Sequence, residues 1–86
     1  MMLYTIRYRC HRATRDTALI VEDRRGASYL FSQGRLQLRL RVPNAGARLA
    51  QLLANRGAWT HVPLAEPYTL AELVRLVGCA PLPSAA

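Results

Sequence analysis

Along residues 3–42, apolar and polar side chains alternate with a period of two; beyond residue 43 the apolar positions recur with helical spacing. A strand sends successive side chains to opposite faces, whereas a helix brings positions three and four apart onto one face. The first half of the chain therefore predicts strands and the second half helices. Four strands are predicted, at residues 3–11, 17–23, 27–32 and 35–42. The first sets Tyr4, Ile6, Tyr8 and Cys10 against Thr5, Arg7, Arg9 and His11. The last sets Leu36, Leu38, Leu40 and Val42 against Arg35, Gln37, Arg39 and Arg41.

Turn chemistry fixes how these strands pair. Asp23-Arg24-Arg25-Gly26 places Asp at the first turn position and Gly where a positive φ is needed. Gln33-Gly34 is a two-residue hairpin loop. These turns oppose Leu19 to Phe31, Ile20 to Leu30, Val21 to Tyr29 and Glu22 to Ser28. They also oppose Phe31 to Leu36, Leu30 to Gln37, Tyr29 to Leu38 and Ser28 to Arg39. Directly opposed residues share a face. One face then gathers Leu19, Val21, Tyr29, Phe31, Leu36, Leu38 and Leu40, joined by the Tyr4 and Tyr8 side of the first strand. A one-residue slip would invert both faces, so the apolar set specifies the register.

Two helices are predicted downstream. Asn44 is a suitable N-cap for an apolar stripe of Ala45, Leu49, Leu52 and Leu53, with Gly57 as its stop. Thr69 and Glu72 have capping-box spacing, Tyr68 and Leu73 can form the accompanying staple, and Leu70, Leu73, Val74 and Val77 line one face before Gly78. Between the helices, Pro63 and Pro67 limit regular structure, and residues 59–62 leave a further short strand open. Trp59 is expected to cap the core under this connection. The fold class is therefore α+β: a four-stranded antiparallel meander followed by two short helices on its apolar face, a two-layer sandwich. Residues 1–78 are read as a single domain, and residues 79–86, with Pro81 and Pro83, as a flexible tail.

Charge changes the picture of the opposite face. The chain of 86 residues has twelve Arg, no Lys and five acids, for a net charge of +7. Residues 1–43 hold nine Arg against three acids (+6) and residues 44–86 three against two (+1), so the excess sits on the strands. In the predicted register the second sheet face presents Arg7, Arg9, His11, Arg35, Gln37, Arg39 and Arg41 around Ile20 and Leu30. Guanidinium groups bind phosphate bidentately. The preferred functional reading is thus a small non-catalytic binding module whose arginine face contacts nucleic acid, single strands rather than duplex, or an acidic protein. Tyr29 and Phe31 point inward in this register, which withholds the stacking platform that many single-strand binders use. The alternative is an assembly module, a homo-oligomer packed through Ile20 and Leu30 with a polar rim. The first and fourth strands, predicted as sheet edges, offer a second route by strand addition.

Other chemistries have thin support. Cys10, His11, His61 and Cys79 lack metal-ligand spacing, and Cys10 and His11 are adjacent on a strand and so point to opposite faces. No metal site and no cofactor is expected. No phosphate-binding glycine motif or nucleophile elbow occurs. A small basic ribonuclease, with His11 or His61 as general acid or base, is the remote catalytic reading. The longest aliphatic run, residues 18–21, is far short of the roughly 20 residues of a membrane span. Arg7 and Arg9 interrupt the N-terminus before an export signal can develop, so a cytoplasmic protein with reduced thiols is expected.

Overall fold

The computed structural model describes residues 2–12 and 15–77. Five strands form one antiparallel sheet: β1 (Tyr4–Arg12), β2 (Arg15–Asp23), β3 (Ser28–Ser32), β4 (Arg35–Leu40) and β5 (Ala58–His61). Two helices follow β4, α1 (Ala45–Leu52) before β5 and α2 (Leu70–Leu76) after it. The spatial order is β4-β3-β2-β1-β5. The predicted α+β class and meander are formed, with a fifth strand added at the open segment. Gly78, and the tail predicted at 79–86 with Cys79, lie outside the described residues.

The β2–β3 register follows the turn chemistry. Leu19 faces Phe31, Ile20 faces Leu30, Val21 faces Tyr29 and Glu22 faces Ser28. In the turn, Asp23 Oδ1 accepts the amides of Arg25 at 2.9 Å and Ala27 at 3.0 Å, and Gly26 takes φ +89°. A carboxylate that caps its own turn replaces the ladder bonds the chain gives up there.

Three register shifts interrupt the ladders; one, between Cys10 and His11, skips Thr17 on β2, and the other two break the expected alternation on β1 and β4. On β1, Ile6 pairs with Val21 but Tyr8 pairs with Ile20, so Arg7 is the extra residue of a β-bulge. Tyr4 and Ile6 consequently lie on one sheet face and Tyr8 and Cys10 on the other, where a regular strand would put all four together. On β4, Leu30 pairs with Gln37 but Tyr29 pairs with Arg39, so Leu38 is the extra residue, at φ +39°. Tyr29 is therefore opposite Arg39, not Leu38, and Ser28 is opposite Leu40, not Arg39.

The two helices cover opposite faces, not one. Leu73 and Val77 of the α2 segment pack with Tyr4, Ile6, Leu19, Val21 and Phe31. Leu49, Ala50 and Leu53 of the α1 segment pack with Cys10, Ala18, Ile20 and Leu30. The odd and even residues of β2 thus face two separate cores, and the sheet is the middle of three layers. Gly46 permits the close approach of α1: a Cβ there would stand 3.3 Å from the Tyr8 ring. The cap of α1 differs from expectation, because Asn44 has a left-handed φ of 57° and its side chain makes no capping bond. The α2 box forms as expected, with the Glu72 amide donating to Thr69 Oγ1 and the Thr69 amide to Glu72 Oε1.

β1 is not an edge. β5 pairs along it, the Val62 amide donates to the Arg7 carbonyl, and Tyr4 and Tyr68 exchange two backbone bonds of 2.8 Å. This leaves β4 as the longer of the two sheet edges.

Candidate functional site

The predicted arginine face is dispersed by the bulges. Arg7 sits in the β1 bulge, 3.9 Å from Glu22. Arg9 is opposite Leu19 and so lies on the α2 side, as does His11 two residues on. Arg35 and Gln37 lie on the α1 side, opposite Ser32 and Leu30, whereas Arg39 lies on the α2 side opposite Tyr29. Gln37 Nε2 is already engaged, donating to the Ser32 carbonyl at 3.0 Å. Ile20 and Leu30, expected at the centre of an exposed interface, are 0% and 5% exposed beneath α1. A copy of the chain cannot pack on a face that the chain's own helix occupies, and the predicted interface is corrected accordingly.

An exposed basic surface nonetheless exists, along an edge instead of over a face. Arg35, Arg39 and Arg41 follow one another along and just past β4, all exposed. The β2–β3 turn carries Arg24 and Arg25, also exposed, at the end of the sheet where Ser28 meets Leu40. Three of the acids are engaged by the fold, whereas Glu66 is exposed. Asp23 is buried in its turn, accepting from two amides and from the Tyr29 hydroxyl at 3.0 Å. Burial of Asp23 opposes its ionisation, but the bonds from Ala27, Tyr29 and Arg25 and the nearby Arg39 charge outweigh it and hold the carboxyl below its usual range. Glu72 belongs to the capping box, whose bonds from Thr69 likewise lower it, and Glu22 faces Arg7. None of Arg24, Arg25, Arg35, Arg39 and Arg41 makes an ion pair with a described acid.

Two recesses flank α1. One, of about 290 Å³, lies at its start between Arg7, Tyr8, Glu22, Asn44, Gly46 and His61. There the His61 ring stands edge-on to Tyr8, with centroids 5.2 Å apart. The other, of about 270 Å³, lies at its end between Cys10, Ala18, Leu30, Gln33, Arg56 and Trp59. Trp59 packs against the α1-side core and its Nε1 donates to the Leu53 carbonyl at 3.1 Å. Sequence reasoning missed this second recess. Its signal was the consecutive apolar run at residues 18–21, which marks a strand covered on both faces and beginning with a small side chain.

The catalytic and metal candidates do not converge. His61 pairs with Tyr8 on the α1 side, while His11 pairs with Ala58, three residues back along β5 and on the other face. Two histidines so placed, about 10 Å apart along the ladder, belong to separate sites. Among the described residues no group of three His, Cys, Asp or Glu side chains is arranged to hold a metal ion. No helix among them is long and apolar enough to cross a membrane. Comparison with protein-family models, with curated proteins and with solved structures returns no significant match.

Proposed function

We propose that the chain is a polyanion-binding module that holds single-stranded nucleic acid by its phosphates, along the β4 edge and the β2–β3 turn. The observation that carries this reading is the asymmetry between the charges. Asp23, Glu22 and Glu72 are engaged within the fold, while Arg24, Arg25, Arg35, Arg39 and Arg41 are exposed on two adjoining segments and none forms an ion pair with a described acid, Arg39 acting on the buried Asp23 only through its charge. Arg35, Arg39 and Arg41 follow one another within seven residues along the edge, on either side of the Leu38 bulge, so a linear polyanion lying on the edge can meet them from both faces in turn. Phosphate contacts of this kind position a strand without reading its sequence.

The test uses a fluorescein-labelled dT12 and its binding anisotropy at low salt. Replacing Arg35, Arg39 and Arg41 together by Ala is expected to weaken binding at least tenfold. Replacing Arg48 and Arg75, which are exposed on α1 and α2, is expected to change it less than threefold. Losses in proportion to the charges removed, three against two, would show that net charge alone attracts the strand and would overturn an edge-localised site.

A further inference from the structure

We infer that the recess between Trp59, Ala18 and Arg56 is a subsite for one unstacked nucleobase of the bound strand, an inference that rests on the reading just given. The recess exists because a small residue begins the central aliphatic run. Across the α1 side of the sheet, Trp59 pairs with Cys10 and Cys10 with Ala18. Ala18 leaves the space that a larger aliphatic side chain would fill, and α1 ends above it at Leu53. The floor is apolar, formed by Cys10, Ala18, Leu30 and Leu53, all buried. The wall is an indole whose orientation is fixed by its bond to the Leu53 carbonyl. The rim is polar, made by Ser32 and Gln33, with exposed Arg56 adding positive charge.

A slot with an apolar floor, one aromatic wall, a polar rim and a cation is the chemistry that receives a planar heteroaromatic ring attached to an anion. Its volume of about 270 Å³ has room for one ring system. The position continues the proposed track. Arg35 pairs with Ser32, whose neighbour Gln33 is at the rim, so a strand lying along β4 arrives at the recess at its Arg35 end. The inward positions of Tyr29 and Phe31 removed the stacking platform expected of a sheet-face binder. Trp59, on the opposite edge strand, supplies an aromatic surface from a different place.

Trp59 is the single tryptophan of the chain, so its emission reports on the recess directly. The full chain is titrated with dT12 and with a 12-mer of identical backbone whose bases are replaced by abasic sites. A base in the recess is expected to quench Trp59 with dT12 and not with the abasic strand, and the abasic strand is expected to bind about 5- to 150-fold more weakly, the range for loss of one stacked base. Ala18→Met, which fills the recess without cutting a contact, is expected to bring dT12 affinity down towards the abasic value. Should that variant fail to fold, Trp59→Phe retaining affinity for labelled dT12 while Trp59→Leu loses it carries the same information. Equal affinity for the two strands with unchanged Trp59 emission would overturn the subsite and leave the phosphate-binding edge standing. Failure of both strands to bind would remove the functional reading itself, and the subsite with it.

Discussion

The Tyr29 hydroxyl donates a 3.0 Å hydrogen bond to Asp23 Oδ2, so β3 reaches back to clasp the turn that leads into it. Asp23 Oδ1 meanwhile holds the amides of Arg25 and Ala27. Burial raises the cost of the charge, and the three bonds with the Arg39 charge overcome it, so the folded carboxyl titrates below its unfolded value. A depressed folded value contributes stability at pH above about 4, and that contribution is lost as pH falls through the folded value. Asp23→Asn is expected to lose about 2 kcal/mol at pH 7 and to show a shallower decline in stability towards pH 2. Urea unfolding followed by circular dichroism at both pH values checks this. Tyr29 gives the converse limb: burial and the bond to Asp23 raise its hydroxyl, so its contribution is lost as pH rises beyond the ordinary phenol range.

Leu38 stands in the β4 bulge at φ +39°, where a side chain is strained, and it is 56% exposed, so its side chain contributes little packing. Leu38→Gly is expected to relieve about 1 kcal/mol of strain and raise the melting temperature by roughly 4–8 °C. A lower melting temperature would mean that the bulge depends on the leucine side chain.

Ser28 is fully buried between Glu22 and Leu40, and its hydroxyl has no hydrogen-bond partner among the described residues. Removing a buried unsatisfied hydroxyl relieves its desolvation cost. Ser28→Ala is expected to be neutral or to stabilise by up to about 1–2 kcal/mol, measured as the denaturant midpoint at unchanged m-value.

Leu30 lies beneath α1 with Ile20, Leu49 and Leu53. Leu30→Glu is expected to unfold the chain, because a buried unpaired carboxylate costs more than a domain of this size can absorb. Circular dichroism separates this from the alternative, a folded monomer released from an oligomer.

The elements whose pairing a turn controls were legible in the sequence. Asp23 through Gly26 and Gln33-Gly34 placed Leu19 against Phe31 and Phe31 against Leu36. The bulges were not legible, because Arg7 and Leu38 are neither Gly nor Pro and the alternation runs through them unbroken. Each bulge reverses every later side chain of its strand, and this alone scattered Arg7, Arg9, Arg35 and Arg39 over both faces. The helix placement was misread for a related reason. An apolar stripe says that a helix must be covered and does not say by which face of the sheet. Ile20 and Leu30, apolar on a face otherwise read as polar, were the residues that marked a second core.

The most direct measurement of the central claim is the salt dependence of dT12 binding to the unmodified chain. Three or four phosphate contacts predict a log–log slope of about −2 to −3, at roughly −0.7 per phosphate neutralised on a single strand. Binding that persists near physiological salt with that slope is the expected result. Binding that is weak at low salt and absent by physiological salt would contradict the account and leave the β4 arginines as protection of an exposed sheet edge.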